Sequence, residues 1–332
     1  MGRRRGVNPR TVAIAADRVS TAGMIVAVVV ALVLLVIVER SLLDVRKPAD
    51  KPSPPAEAAE KAAGTTPASP QRLESRVAEL MKKERGRVAR MVYGRQGGDP
   101  VVAVTRQTAD RMWAFGVAAL PVPTSSSAMP QVALFLARWE GRRWRAGLSG
   151  TEGFRALLRV VPTRLLPATE IRTLARYSAG PVTQPQLMLP WQIGESRRVT
   201  AMPAQMTFDG GDGQVLAASD GLLYRFCTDA AGNGLVVIVN DTGLATEYYR
   251  LSDITRVADG TPVRQGDYLG QTGGPGTCGG ATAATTLFGL GQGDGDLPLS
   301  GRTLGGWRFR DGWAQRGAEK IMPGQELSNF GP

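Results

Sequence analysis

A chain of 332 residues is long enough for two modest domains and an anchor, and its hydrophobic fraction of 43% is normal for a protein with a packed core. The chain contains no histidine, which excludes any mechanism that needs imidazole as a general base or a zinc ligand. The net charge of +11 suits anionic partners such as wall polymers or lipid headgroups, or simply reflects an arginine-rich composition. No known nucleic-acid-binding motif of aromatic and basic residues appears, so nucleic acid is not an expected partner.

Residues 19–38 form an uncharged apolar run, VSTAGMIVAVVVALVLLVIV. A helix of this length spans about 30 Å, the thickness of the hydrocarbon core of a bilayer. We therefore predict a single transmembrane helix at 19–38 rather than a buried helix of a soluble domain, because the run has no polar face. A cleaved signal peptide is the other alternative, but the run ends in ERSLLD, without the small residues of a cleavage site.

The charges that flank this run predict its orientation. Residues 1–18 carry five basic residues against one acid, Asp17, whereas residues 39–51 mix both signs. By the positive-inside rule, residues 1–18 lie in the cytoplasm. The chain is then a single-pass protein of the cell membrane whose remaining domains are extracytoplasmic.

Residues 39–70 are rich in proline, alanine and charge and predict a linker, because they offer little to bury. A small α+β domain is predicted at 71–185. It begins with an amphipathic helix at 71–92, in which apolar residues recur at three- and four-residue spacing. Two later helices are predicted, the first with Thr151 as its N-cap. Strands are predicted at 101–104, 112–123, 132–141 and 142–150, the last two joined in a hairpin at Glu140-Gly141.

Aromatic and basic residues gather near that hairpin. Trp139 and Trp144 flank Arg142 and Arg143. These four residues form either a ligand surface or a pair of aromatic residues packed in the sheet beside solvated charges.

Residues 186–332 have a different character from the domain before them. Glycine is frequent, apolar runs are short, and Asp-Gly and Asn-Asp turns separate them, which predicts an all-β domain built from hairpins. The only two cysteines of the chain, Cys227 and Cys278, lie here. In an oxidising extracytoplasmic setting we predict that they form a disulfide, with two buried free thiols as the alternative.

Six ordered stretches between about 190 and 316 carry a resemblance to a known family. They are LPWQIGES, FDGGDGQVLAASDGLLYRFC, GLATEYYRLSDI, GTPVRQGDYLGQTG, TCGGATAATTLFGL and LSGRTLGGW. On these stretches the chain resembles the lysostaphin/beta-lytic (LytM-type) family of peptidoglycan zinc endopeptidases. The resemblance implies the all-β fold of that family. The domain at 71–185 is similar to regions found in actinobacterial relatives of the family.

The resemblance also identifies the positions where the family holds zinc. Active members use a histidine, an aspartate four residues later and the second histidine of an H-x-H pair, and two further histidines assist catalysis. In this chain the ligand aspartate becomes Thr207, and Arg250 replaces a catalytic histidine in the stretch YYRL. The H-x-H pair becomes Thr285 and Leu287. Asp209 takes the aspartate position only if the alignment includes one gap.

These replacements predict a degenerate member of the family. A catalytic zinc needs three protein ligands and an open position for water. At most one ligand survives here, so we expect no metal, no other cofactor and no peptidase activity. We expect instead a pseudoenzyme of the cell envelope that binds peptidoglycan or regulates or scaffolds another envelope protein. The alternatives are a spacer that binds nothing, or an active peptidoglycan hydrolase with unusual chemistry. The candidate residues for that chemistry are Asp209, Asp212, Ser219 and Asp220.

We expect the family groove to remain open after the loss of zinc. Its candidate residues are Thr207, Asp209, Tyr248, Tyr249, Arg250, Thr285 and Leu287. The two tyrosines alternate along a strand, so one flanks the groove and the other packs in the core. Arg250 with nearby hydroxyls suits a carboxylate, which a guanidinium holds bidentately. An internal pair between Arg250 and Asp209 that closes the site is the alternative.

Topology is the first testable prediction. Protease added to spheroplasts should remove nearly all of the chain beyond residue 40, because that part lies outside the membrane. Immunoblots against tags at the two ends measure the result, and permeabilised spheroplasts, in which both ends are digested, serve as the control. Protection of the C-terminal tag in intact spheroplasts would reverse the predicted orientation.

Overall fold

The computed structural model describes residues 70–180, 183–201, 204–281 and 283–332. The predicted cytoplasmic segment 1–18 and transmembrane helix 19–38 lie outside the described residues, as does the linker 39–70 except for Pro70. Within the described part of the chain, none of the helices combines the length and the apolar character needed to cross a bilayer.

The first half of the described chain is an antiparallel four-stranded sheet with three helices, in the strand order β1-β2-β3-β4. Trp139 pairs with Trp144 across the β3–β4 hairpin, and the Thr151 hydroxyl accepts a hydrogen bond from the Phe154 N–H at 3.3 Å. The predicted hairpin and N-cap are therefore confirmed. The elements are α1 (Pro70–Tyr93), β1 (Val101–Gln107), β2 (Trp113–Leu120), β3 (Gln131–Trp139), β4 (Trp144–Leu148), α2 (Glu152–Leu158) and α3 (Ala168–Ala179).

The second half is all-β over its described residues, as the glycine-rich sequence predicts. The large sheet follows the order β11-β8-β9-β10-β13-β6-β5-β19, with β7, β12 and β14 attached at its sides. A separate small sheet follows the order β15-β16-β17-β18. The strands are β5 (Ser196–Ala201), β6 (Met206–Asp209), β7 (Gln214–Leu216), β8 (Gly221–Phe226), β9 (Gly234–Val239), β10 (Ala245–Ser252), β11 (Pro262–Val263), β12 (Tyr268–Thr272), β13 (Thr286–Gln292), β14 (Gly295–Leu297), β15 (Thr303–Leu304), β16 (Trp307–Arg310), β17 (Trp313–Arg316), β18 (Glu319–Ile321) and β19 (Glu326–Ser328).

Strand β2 joins the two halves because it is buried on both faces. Alternate side chains of a strand project to opposite faces. Ala114 and Ala118 pack in the cluster that contains the apolar side of α1. Phe115 and Val117 pack in a second cluster that contains residues of β8, β9, β10 and β13. The predicted boundary at 185/186 therefore separates two secondary-structure compositions, but this second cluster extends across it, and the described residues from 70 onward belong to one compact unit.

A hydrogen-bonded polar group also links the halves. Glu170 of α3 is buried and accepts two hydrogen bonds from the Arg106 guanidinium, at 2.7 and 2.6 Å. The Tyr224 hydroxyl of β8 donates a third, at 2.7 Å. Because each member has its partner, this buried ion pair avoids the desolvation cost of an unpaired charge.

A second buried acid, Glu247 of β10, lies in the same interface. Burial, together with the nearby Asp296, raises its pKa to about 8, and Arg85 of α1 opposes the shift. Gln131 of β3 donates to Asp296 at 2.8 Å. Gly291 of β13 leaves room for the Glu247 carboxyl, with which a Cβ at position 291 would collide.

The stability of the fold should decrease as pH rises from 4.5, the ordinary pKa of a glutamate, to about 8. In that window folded Glu247 holds a proton that the unfolded chain has lost, so the folded state is favoured at the lower pH. The free energy of unfolding should fall by at most about 1.4 kcal/mol per pH unit for this group. Denaturant unfolding across this range measures it.

The variant Glu247→Gln should weaken that dependence, because the amide does not titrate. Glu319→Gln is the matched control, since Glu319 is exposed, and it should keep the slope of the parent protein. An unaltered slope in Glu247→Gln would show that this carboxyl is not the titrating group.

Candidate functional site

Three of the positions identified from the sequence lie side by side on neighbouring strands. Tyr249 of β10 is directly opposite Leu287 of β13, and Leu287 is directly opposite Thr207 of β6. Directly opposed residues of an antiparallel sheet project to the same face. Asp209 follows two residues after Thr207 on the same strand, so it projects to that face too. The predicted constellation is thus assembled on one face of the large sheet.

The centre of this face is buried, which corrects the expectation of an open groove. Leu287 and Tyr249 have no solvent exposure and pack in the cluster that the large sheet shares with β2. Thr207, Asp209 and Thr285 are partly exposed.

Tyr248 projects to the opposite face and packs in the core of the second half. Its ring lies edge-on to that of Phe288, with the ring centroids 5.3 Å apart. Its hydroxyl accepts from the Ala218 N–H at 2.7 Å and donates to Thr246 at 3.0 Å. Both tyrosines therefore lie in apolar interiors, and neither flanks a groove.

A segment of the first half, Val122–Met129, covers the face; we call it the crossing segment. Val122 donates its N–H to the Cys278 carbonyl at 2.8 Å, and its own carbonyl accepts from the Gly280 N–H at 3.0 Å. Val122 and Gly279 form a parallel bridge. The crossing segment is therefore hydrogen-bonded to the loop that precedes β13.

Further contacts continue along the crossing segment. The Ser126 carbonyl accepts from the Ala281 N–H at 3.1 Å. The Gln205 side chain accepts from the Met129 N–H at 3.1 Å and donates to the Ser127 carbonyl at 3.2 Å. Met129 is buried in the same cluster as Tyr249 and Leu287. The crossing segment thus covers the centre of the face with both backbone and side chains.

Two glycines allow this close approach. Gly279 and Gly280 have φ of +81° and +85°, a region that favours glycine. A Cβ at Gly279 would collide with the Val122 carbonyl oxygen, and one at Gly280 would lie 3.1 Å from the Ser126 carbonyl oxygen. Sequence reasoning missed the crossing segment, although the doublet Gly279-Gly280 was the available signal for a close backbone contact.

The predicted disulfide between Cys227 and Cys278 is confirmed, with the two Cα atoms 5.5 Å apart. It closes a loop with a sequence separation of 51 residues, for which the chain-entropy model gives about 4 kcal/mol. Because the Cys278 carbonyl accepts from Val122, the disulfide also fixes the loop that holds the crossing segment.

Arg250 lies beside this contact in an unusual backbone conformation. Its φ is +65°, at a bulge between Tyr249 and Leu251, and its exposed fraction is 2%. A Cβ at Gly280 would lie 3.8 Å from its Nη2 atom, so the guanidinium is adjacent to the loop that holds the crossing segment.

The guanidinium of Arg250 does not form the predicted alternative pair with Asp209. Within the described part of the chain, its Nε and Nη2 atoms have no hydrogen-bond partner and no carboxylate pairs with it. Burial lowers the pKa of Arg250, and the nearby Tyr249 opposes the shift. The site is closed by the crossing segment instead of by an internal ion pair.

The residues at the family's metal positions do not fit zinc. Leu287 has no donor atom, Thr207 offers a neutral hydroxyl, and Arg250 brings a positive charge that repels a dication. Across residues 70–180, 183–201, 204–281 and 283–332, no three His, Cys, Asp or Glu side chains form a group that could hold a metal.

Two of the acids considered for other chemistry, Asp212 and Asp220, have local structural partners. Asp212 accepts from the buried Arg197 at 2.8 Å. Asp220 accepts from the Gln265 N–H at 2.7 Å. Ser219 is buried, and its hydroxyl has no partner within the described ranges. The hydrogen bonds of these acids are those of residues that order turns.

No protein-family model matches the chain, and no curated protein matches it. Among solved structures, the chain is similar to pseudoalterin, described as a novel M23 metalloprotease from the deep sea. The sequence identity is 20% and the TM-score is 0.37, and the match covers 44% of this chain and 99% of that one. It is also similar to a Pseudomonas aeruginosa protein described as a peptidase M23, at 18% identity and a TM-score of 0.29 over 62% of this chain and 88% of that one. Both descriptions name the LytM-type class that the sequence resembles, and at such identities the likeness concerns the fold alone.

The contact between the crossing segment and Gly279 can be tested by Gly279→Ala. Gly312→Ala is the matched control, because Gly312 has φ of +84° and no neighbouring atom within 4 Å of a Cβ. Both variants carry the cost of a side chain at positive φ, about 1–2 kcal/mol. Only Gly279→Ala also meets the Val122 carbonyl, so its free energy of unfolding should be lower by a further amount of about 1–3 kcal/mol.

Denaturant unfolding measures this difference in the free energy of unfolding. The rate at which phenylglyoxal modifies Arg250 reports whether the crossing segment has moved away from the face. We expect faster modification in Gly279→Ala than in Gly312→Ala. Equal stabilities and equal modification rates in the two variants would mean that the crossing segment does not contact the loop that precedes β13.

Proposed function

We propose that this chain is a single-pass membrane protein of the cell envelope whose peptidase-like domain is non-catalytic and scaffolds or regulates another envelope protein. The observation that supports this most directly is the burial of Leu287 in one cluster with Met129 of the crossing segment, together with the burial of Arg250 beside the loop that holds this segment. The family positions that would bind metal and substrate are both chemically changed and covered.

The chemistry argues against peptide hydrolysis at this face. A zinc peptidase needs a metal-bound water and a group that takes its proton. Here one ligand position is the apolar Leu287, and a position that assists catalysis is the cationic Arg250. Neither side chain can take up a proton near neutral pH, so the site has no means to activate water.

The position of the crossing segment argues against the binding of peptidoglycan in the family groove. A stem peptide at the centre of this face would have to take the place of the crossing segment. It would break the backbone hydrogen bonds that join Val122 to Cys278 and to Gly280, and it would uncover Leu287. That loss favours a partner bound elsewhere on the surface over a wall peptide in the groove, so a protein partner is the better expectation.

The test uses the purified full-length chain with isolated sacculi, with and without added zinc. We expect no release of soluble muropeptides under either condition and no stoichiometric zinc by metal analysis. One zinc per chain that is lost in Asp209→Ala, together with muropeptide release, would establish the alternative of an active peptidoglycan hydrolase.

Co-sedimentation with the same sacculi tests the groove separately. We expect the wild-type chain and Arg250→Ala to sediment alike, because Arg250 is buried. Binding by the wild-type chain that Arg250→Ala abolishes without a change in thermal stability would show that the groove opens and holds a wall carboxylate.

A further inference from the structure

A groove of about 970 Å³ lies between α1 and the β3–β4 hairpin. It belongs to the side of the four-stranded sheet that packs against α1, because Trp139 and Trp144 cluster with the apolar residues of that helix. The groove is therefore separate from the face that the crossing segment covers. Two arginines near the hairpin were identified from the sequence. In the structure, further arginines from α1 line the same groove.

The groove is strongly basic. Its five arginines and two glutamates leave three net positive charges. The arginines come from both walls and are exposed: Arg72 and Arg76 from α1, and Arg142, Arg143 and Arg145 from the hairpin.

The two glutamates neutralise only part of this charge. Arg76 pairs with Glu79 at 3.3 Å, and Arg145 pairs with Glu140 at 3.6 Å. Exposed pairs of this kind contribute about 0–1 kcal/mol. Arg72, Arg142 and Arg143 form no ion pair among the described residues, so their guanidinium groups remain available to a ligand.

Two tryptophans line the same groove. Trp139 and Trp144 are almost completely buried and stack edge-to-face, with ring centroids 5.5 Å apart. Both indole N–H groups are buried without a hydrogen-bond partner within the described part of the chain. The groove thus combines an apolar wall with a cationic rim.

This chemistry selects a phosphate-bearing ligand. Several guanidinium groups on two facing walls suit the oxygens of a phosphate, which each can grip with paired N–H donors. Sites for small molecules are typically about 300–1,000 Å³, so the groove has room for a phosphate and its ester substituents.

The position of the groove along the chain favours a lipid as the source of that phosphate. This step rests on the membrane anchor of the proposed function. Arg72 and Arg76 lie in the first turns of α1, directly after the linker of 32 residues that follows the predicted transmembrane helix. A segment of this length spans about 30 Å as a random coil and about 100 Å as an extended polyproline helix, so in the proposed topology the groove is tethered to the bilayer.

We propose that this groove binds the phosphate-bearing headgroup of an anionic phospholipid in the membrane that anchors the chain. Binding would hold the α1 end of the folded unit at the bilayer surface. A soluble polyphosphate shares the recognition chemistry and is the competing ligand that the experiment must separate.

The test uses the full-length chain in nonionic detergent micelles doped with phosphatidylglycerol or with phosphatidylcholine. Phenylglyoxal modifies accessible arginines, and mass spectrometry gives the rate at each one. We expect slower modification of Arg142 and Arg143 with phosphatidylglycerol only. Arg308 and Arg310, which are exposed on β16, should react at equal rates in both micelles.

A double variant, Arg72→Gln with Arg76→Gln, should raise the amount of phosphatidylglycerol needed for protection of the hairpin arginines, by about fivefold for each arginine removed. Arg308→Gln with Arg310→Gln is the matched control and should leave that amount unchanged. Unaltered thermal stability of both double variants confirms that they are folded.

Three results would overturn the proposal: equal rates in the two micelles, equal slowing at Arg308 and Arg310, or protection by inorganic tripolyphosphate in undoped micelles without protection by phosphatidylglycerol. The last would assign the groove to a soluble phosphate. The modification rates of the arginines depend neither on peptide hydrolysis nor on a protein partner. This inference and the proposed non-catalytic role can therefore fail independently.

Discussion

The backbone contact between Val122 and the loop Cys278–Gly280 is the constraint on which the arrangement of the site depends. It requires glycine at 279, because any side chain would meet the Val122 carbonyl. It requires a fixed loop, which the disulfide to Cys227 supplies. Once the crossing segment is in place, the strand beneath it is no longer in water, and an apolar Leu287 is then the residue that suits its position.

Strand β2 explains why the two halves share a hydrophobic cluster. A strand such as β2, apolar on both faces, cannot be covered by α1 alone. The large sheet covers the second face of β2, and polar residues that are buried between the two layers make their contacts there. Glu170 is satisfied by Arg106 and Tyr224, whereas Glu247 has only the more distant Arg85 to oppose its burial.

The elements that sequence reasoning predicted well are those specified by local interactions. The periodicity of 71–92, the turn at Glu140-Gly141 and the cap at Thr151 each depend on neighbouring residues. The register that aligns Thr207 with Leu287 was implied by family resemblance. The burial of that face was not predictable in the same way, because Val122–Met129 reads as a polar loop and its docking depends on residues more than a hundred positions away. The uninterrupted apolar run of β2 was a visible sign of burial on both faces.

The glycine pair at 279 and 280 has a consequence for any metal site built on this face. Histidines placed at 285 and 287 would not be sufficient to create one. An imidazole at 287 would enter a dry apolar cluster in which Met129 of the crossing segment is packed. The crossing segment would have to be released first, and its release would uncover that cluster. The close approach of the two backbones at Gly279 thus opposes a metal at position 287 through the folding of the chain itself.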